Sequence, residues 1–84
     1  MRFLDTIDRL IHIHNLIQRR STGPPDEFAA KLHLKRRQLY NVLEQFRDCG
    51  AIIKYSRISS SFYYVNNFEI HIEIKADSID VRKE

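Results

Sequence analysis

Two side chains one helical turn apart, Arg37 and Asn41, carry the most informative chemistry in the chain. An arginine can donate two hydrogen bonds to the edge of a guanine, and an asparagine can pair with an adenine in the same way. Residues four apart lie on one face of a helix, so both side chains could enter a DNA major groove together. Gln38 is a third candidate for a base contact. The spacing therefore predicts base recognition by the helix that carries these residues.

The positive charge of the chain is concentrated around the same residues. The total is only +3, yet residues 31–57 hold seven lysines and arginines against two carboxylates, a net charge of +5. Residues 1–30 hold four cations and four carboxylates, and residues 58–84 hold three cations and five carboxylates. A local excess of positive charge is typical of a surface that binds phosphates. The alternative is an ordinary solvated surface with an accidental cluster.

Several further residues are candidates for contacts with phosphate, which hold a protein in place without reading sequence. Those around the helix are Lys31, Arg36 and Tyr40, and those expected to touch the backbone or the minor groove from a following hairpin are Lys54, Arg57 and the serines Ser59, Ser60 and Ser61. Glu44 and Asp48 would be repelled by phosphates. We therefore expect only the first half of the helix to enter a groove.

The first element that must position these residues is a helix predicted over residues 3–18. At about 100° per residue, one face carries Phe3, Leu4, Ile7, Leu10, Ile11, His14 and Ile17. Ile13 is predicted on the flank of that face, and Leu16 on the opposite side. This is more apolar surface than one core face needs, so we expect the hairpin or a second copy of the chain to cover it.

Two more helices follow the break at Ser21–Pro25. A short helix is predicted over about 25–33, because proline is tolerated in the first turn and acidic residues suit it. A third helix is predicted over 36–48, and Gly50 ends it. The apolar positions expected in the core are Phe28, Ala29 and Leu32 of the second helix and Leu39, Val42, Leu43 and Phe46 of the third.

From residue 51 the pattern changes to strands. Residues 52–58 and 62–65 are rich in β-branched and aromatic residues, with a serine turn between them. Residues 68–75 alternate strictly between apolar and polar, which predicts a third strand. We expect an α+β domain over residues 1–75, with three helices followed by a two- or three-stranded antiparallel sheet. Residues 76–84 are expected to form a flexible, charged tail.

The residues argue against catalysis. A chain of 84 residues leaves little room for a roofed pocket beside its own core. It offers no nucleophilic triad, no paired carboxylates and no glycine-rich phosphate loop. His12 and His14 would lie about 200° apart on a helix and could not bind one metal from it, so His14 is expected to be a hydrogen-bonded core residue. We therefore expect no enzyme, no metal and no cofactor.

The single cysteine and the hydropathy pattern indicate where the protein works. Cys49 alone cannot form an internal disulfide, which fits a reducing compartment, and we expect it to be a small buried apolar residue. No apolar run approaches the length of about 20 residues that spans a membrane. The expected location is the cytoplasm, in association with the nucleoid.

The order of elements resembles that of a winged helix-turn-helix domain. Residues 26–52 resemble the DNA-binding domains of DeoR-type and biotin-repressor-type bacterial transcription regulators. The matching positions are Glu27, Phe28, Ala29, Leu32, Leu34, Leu39, Tyr40, Leu43, Phe46, Gly50 and Ile52. The aromatic run 62–64 also looks like the wing of small Bacteroidetes helix-turn-helix proteins. The resemblance covers about 60 of the 84 residues, mostly at core positions.

Three positions and the wing tip depart from the family pattern. Lys35 stands where the family has a serine that caps the recognition helix, so a side-chain cap is missing and Lys35 is expected to contact phosphate instead. Gln38 replaces the usual threonine, and His33 replaces a glycine that is common in the turn. The wing tip has serines where glycine and arginine are frequent.

The resemblance implies a small transcriptional regulator that binds double-stranded DNA. The excess apolar surface on the helix at 3–18 and the alternating strand at 68–75 indicate a homodimer. The helix at 36–48 would enter the major groove, and the wing at 52–65 would contact the backbone. The alternative from another class is a protein–protein interaction module on a winged-helix scaffold, working through the strand at 68–75, because Glu44, Asp48 and the acidic tail are unfavourable near DNA. RNA binding is a third alternative.

Overall fold

The computed structural model describes residues 2–71, with side chains from residue 5 onward. The elements are the helices α1 (Arg2–Gln18), α2 (Pro25–Lys31) and α3 (Arg36–Asp48), then the strands β1 (Ile53–Ser56) and β2 (Ser61–Tyr64). The predicted α+β class and the order of its elements are confirmed, and the arrangement is compatible with a winged-helix layout.

The two strands form an antiparallel hairpin that is shorter than predicted. Ile53 pairs with Tyr64, and Ser56 pairs with Ser61, so the turn covers residues 57–60. Residues 68–71 are the described part of the predicted third strand, and they form no strand. Phe68 and Ile70 nevertheless pack against the core, as the alternation requires. Residues 72–75, like the predicted tail at 76–84, lie outside the described part of the chain.

One hydrophobic core joins all three helices to the hairpin. Its buried members are Ile13, Ile17, Phe28, Ala29, Leu32, Leu39, Leu43, Phe46, Ala51, Ile53 and Phe62. The core residues predicted for α2 and α3 are buried, except that Val42 is only partly so. Burial of these side chains is the main force that holds the short elements together.

The predicted apolar face of α1 is confirmed at Leu10 and Ile17 but was wrong at its edges. Ile13 is fully buried, whereas Ile11 is 42% exposed, and Leu16 packs against the core rather than pointing away from it. A broad apolar stripe shows that a helix has a buried side but not which part of the stripe faces its neighbour. Packing of α1 against β2 and the rest of the core decides this.

All three helices end with a residue in the left-handed region, namely Arg20 (φ 55°), His33 (φ 58°) and Gly50 (φ 110°). In each case the N–H of the next residue bonds to a carbonyl five residues back, as in the Schellman motif. At the end of α2 this is Leu34 N to Ala29 O, at 2.9 Å. His33 therefore occupies a conformation that suits glycine. The DNA-binding domains that residues 26–52 resemble commonly have a glycine at this position.

We expect His33→Gly to raise the free energy of unfolding by about 1 kcal/mol, because a left-handed conformation costs a non-glycine residue about 1–2 kcal/mol. Part of that gain is lost to the greater backbone entropy of glycine in the unfolded chain. Urea unfolding measures the difference. The matched control is His12→Gly within α1, which should lose about 1 kcal/mol. Equal stability of His33→Gly and the unaltered protein would contradict the expectation that the left-handed conformation of His33 destabilises the fold.

A buried polar cluster fastens the hairpin to the loop between α1 and α2. Thr22 and Ser61 are both fully buried. Thr22 N donates to Ser61 Oγ at 3.0 Å, and the two hydroxyl oxygens lie 3.1 Å apart. Phe62 N, on the edge of β2 away from β1, donates to Thr22 Oγ1 at 2.9 Å. Ser61 thus belongs to the anchored base of β2, and its predicted place in the exposed wing tip was wrong.

A second polar contact joins α1 to β2. His14 Nδ1 lies 2.7 Å from Tyr64 Oη, and the two rings are 5.2 Å apart. His14 is partly buried, so the prediction of a hydrogen-bonded histidine on the apolar side of α1 is confirmed in its main feature. Burial lowers the pKa of His14, and the carboxylate of Glu69 opposes this only in part. Burial also raises the pKa of Tyr64, which keeps its hydroxyl protonated.

The lowered pKa of His14 predicts acid sensitivity. The unfolded chain, where the pKa is close to 6.5, binds more protons than the folded chain just below that pH. The free energy of unfolding should therefore fall as the pH decreases below about 6.5. Urea midpoints across this range measure the slope. His14→Gln should flatten it, and an unchanged slope in His14→Gln would refute the assignment.

Candidate nucleic-acid interface

The turn between α2 and α3 fixes which side of α3 faces solvent. It spans residues 32–35, with Leu32 buried and Leu34 partly buried. On α3, Leu39, Leu43 and Phe46 face the core, which leaves the opposite side exposed. That exposed side carries Arg37 and Asn41 in its first half and Glu44 and Asp48 in its second.

The start of α3 is held by a glutamine rather than by the residue before the helix. Lys35 has an extended backbone at the N-cap and supplies no side-chain cap, as expected from its lack of an acceptor. Gln38 Oε1 instead accepts a hydrogen bond from Lys35 N at 2.8 Å. Gln38 was predicted to contact a base, and it would have to release this bond to do so.

Arg36 is drawn towards α2 by an exposed ion pair. Its Nη1 lies 3.4 Å from Asp26 Oδ1, and the two side chains are 58% and 82% exposed. Its guanidinium also lies 5.9 Å from the centre of the Tyr40 ring. The hydrogen bond to Tyr40 and the charge of Asp26 raise the pKa of Arg36. Ion pairs this exposed contribute little, so the arginine can exchange Asp26 for phosphate.

Two other cations of the basic segment serve the fold. Lys31 Nζ donates to the carbonyl oxygens of Ser21 and Thr22, at 3.0 and 3.2 Å. It thereby holds the loop between α1 and α2. Arg47 donates to Ile53 O at 3.0 Å and ties the end of α3 to β1. No role for Arg47 was predicted from the sequence.

Four predicted contact residues have free charged side chains. Lys35 and Arg37 lie at the start of α3, and Lys54 and Arg57 lie on and beside β1. All four are exposed. Within residues 5–71 none of these side chains makes a hydrogen bond or an ion pair. These four side chains can therefore contact phosphate without breaking a bond inside the protein.

The outer face of the hairpin carries one more cation that the sequence did not reveal. Lys54 pairs across the sheet with Tyr63, and residues directly opposite one another project to the same face. The guanidinium of Arg20 lies 4.4 Å above the Tyr63 ring, a cation–π geometry. No local pattern could have shown this contact, because the two residues are far apart in the chain.

The tip of the hairpin is an ordered, exposed turn. Ser59 N donates to Ser56 Oγ at 3.2 Å, and Ser60 Oγ donates to Arg57 O at 3.5 Å. Ser60 adopts a left-handed conformation, with φ 52°. Ser59 and Ser60 are both exposed, as a contact with nucleic acid requires.

A separate apolar groove of about 410 Å³ lies between α1, the end of α3 and the segment after the hairpin. Its apolar walls are formed by Leu10, Phe46, Phe68 and Ile70. Cys49 also lines it and is exposed, so the prediction of a buried cysteine was wrong. Cys49 is the residue that follows the last residue of α3, Asp48.

The described residues contain no group of three or more metal-binding side chains of the usual types. No helix among them is long and apolar enough to cross a membrane. Comparison of the chain with models of protein families, with curated proteins and with solved structures gave no match.

Proposed function

We propose that this protein binds double-stranded DNA as a small transcriptional regulator of the winged helix-turn-helix type. The observation that carries the proposal is a set of free cations on two parts of the fold, Lys35 and Arg37 at the start of α3 and Lys54 and Arg57 on the hairpin. A surface that neutralises phosphates needs such unpaired charges. The proposal includes a cytoplasmic location, and neither catalysis nor a cofactor.

The mechanism places the first half of α3 in the major groove. Arg37 and Asn41 are exposed on one side of the helix, and they present donors and an acceptor that match guanine and adenine. Glu44 and Asp48 continue the same side, so phosphates repel the second half. The recognition helix would thus enter the groove at an angle, with its N-terminal end deepest.

The hairpin contributes contacts that hold the protein on the duplex. Lys54 and Arg57 supply charge for phosphates. The anchoring of β2 to Thr22 limits how far the hairpin can move relative to the helices. A wing held in this way pays less entropy when it binds than a loose one.

We also propose that the protein forms a homodimer. The structure leaves less apolar surface of α1 for contact between copies than the sequence predicted. Much of the apolar surface of α1 that a second copy was expected to cover lies in the core of the chain itself, at Ile13 and beside Leu16. Ile11 stays 42% exposed, and Ile52 and Val65 at the base of the hairpin are 48% and 52% exposed. These three residues are the remaining apolar candidates for contact between copies.

The second candidate function, a protein–protein interaction module, is favoured by one observation. The groove lined by Leu10, Phe46, Phe68 and Ile70 is apolar and open, and exposed apolar surface often marks a binding site. Reversing the charge of Arg36 and Arg37 distinguishes the two functions. DNA binding would be abolished by the change, whereas a partner held in the groove would still bind.

The direct test is fluorescence polarisation with a labelled random duplex at about 50 mM salt, followed by titration to higher salt. About three phosphate contacts per copy predict a slope of log affinity against log salt of roughly −3 for a single copy and roughly −5 for a dimer. Selection of bound sequences from a random library would then give the motif and the spacing of its half-sites. No binding to any duplex at low salt would refute the function, and preferential competition by single-stranded RNA would favour the RNA alternative.

A further inference from the structure

The turn at the end of the hairpin holds Ile58 entirely in solvent. Its side chain is 101% exposed, the highest value among the large exposed apolar residues described. A single exposed apolar residue is common on protein surfaces. Its meaning therefore depends on what holds it in place and on what surrounds it.

The turn that carries Ile58 is fixed by its own hydrogen bonds. Ser59 N is held by Ser56 Oγ, and Ser60 Oγ by Arg57 O. Ser60 accepts a left-handed conformation, with φ 52°, which is unfavourable for a residue other than glycine. The base of β2 is in turn fastened to the helical body through Ser61. The side chain is therefore presented on a supported structure.

The composition of the turn suits a narrow, negatively charged space. The minor groove of B-DNA is about 6 Å wide and offers mainly hydrogen-bond acceptors on its floor. Ser59 and Ser60 have small side chains, the Ser59 hydroxyl is a hydrogen-bond donor, and Arg57 supplies a free cation next to Ile58. Proteins that enter this groove often insert an apolar side chain, isoleucine among them, between base pairs and bend the duplex.

We propose that Ile58 enters the minor groove and wedges between neighbouring base pairs, bending the DNA while α3 occupies the major groove. This inference rests on the proposed DNA binding and adds a specificity-determining residue to it. The wedge favours steps that unstack easily, the pyrimidine–purine steps TA and CA. Sequence preference would then arise at a position where no base edge is bonded.

The test is energy transfer between dyes at the two ends of a short duplex with a central TA step. The unaltered protein should bring the ends closer, and Ile58→Ser should abolish this change and weaken binding about tenfold, the scale expected from loss of one buried aliphatic side chain. The salt slope should not change, because isoleucine neutralises no phosphate. Ile58→Leu should retain the bend, and the control Asn67→Ser, at an exposed position just after the hairpin, should leave it unaltered.

The outcomes separate the wedge from the function on which it rests. Binding without a bend, or a bend that survives Ile58→Ser, overturns the wedge and leaves DNA binding intact. Loss of the bend in Asn67→Ser as well would also overturn it, since the effect would then not belong to the tip. Failure of the unaltered protein to bind any duplex overturns both.

Discussion

Arg37→Glu is expected to weaken duplex binding at least 100-fold, while the fold is kept. A good base contact by arginine is worth about 1–3 kcal/mol, and a carboxylate in its place is repelled by the phosphates on either side. Arg37 is exposed and makes no hydrogen bond or ion pair within residues 5–71, so its loss breaks nothing inside the protein. Polarisation titrations at fixed salt measure the change, with circular dichroism to check folding.

The control for this prediction is a second exposed arginine with the same change of charge. Arg9 lies on α1, outside α3 and the hairpin, and Arg9→Glu alters the net charge by the same amount as Arg37→Glu. It should reduce binding only severalfold, through the general field of the protein. Equal losses in the two variants would mean that the net charge alone drives binding, and that α3 has no special place in it.

Asn41→Ala should change which sequences are bound more than how tightly a random duplex is bound. An asparagine that reads adenine supplies specificity, whereas contacts with phosphate supply most of the sequence-independent affinity. Selection from a random library with both proteins measures this. An identical motif for Asn41→Ala would exclude Asn41 as a base-reading residue.

Thr22→Val is expected to destabilise the fold by about 2–3 kcal/mol. The valine has almost the same shape but removes the acceptor for Phe62 N and a partner of the buried Ser61 hydroxyl. A buried donor left without a partner costs about 1–3 kcal/mol. This is a large share for a domain whose total stability is of the order of 5–10 kcal/mol. Urea unfolding measures the loss, and amide exchange at Phe62 should quicken more than exchange in the centre of α3.

Thr22→Ser separates the hydroxyl from the methyl group. It keeps the oxygen and should lose only about 1 kcal/mol, the cost of one buried methyl group. Ser59→Ala, a hydroxyl removed from the exposed tip, should be neutral. If Thr22→Val were as stable as Thr22→Ser, the polar cluster would not be what fastens the hairpin.

How far the sequence specified the fold differs between its elements. The bounds of α3 and its buried residues were predicted closely, because Leu39, Leu43 and Phe46 form a clear stripe between a turn and Gly50. The stripe of α1 was too broad to show that Ile13, rather than Ile11, faces the core. The hairpin was found, but its ends were set by pairing and by the bonds of Asn66 to Ile52 N and Gly50 O.

The residues of the candidate site were also predicted only in part. Sequence could indicate which side chains have suitable chemistry, and Arg37, Asn41, Lys54 and Arg57 are indeed exposed. It could not indicate which of the others are already engaged. The fold commits Lys31 to loop carbonyls, Gln38 to the start of α3 and Arg36 to Asp26, because each of these bonds depends on how the chain turns around it.

The sequence by itself determined the class of fold, the order of its elements and the position of the basic segment. These follow from local periodicity, turn residues and composition, which act over a few neighbouring residues. Only the tertiary structure decided that Thr22 anchors β2, that Arg20 covers Tyr63 and that Ile58 stands free at the tip. Such contacts join residues far apart in the chain or depend on what fails to pack nearby, and no local pattern encodes either.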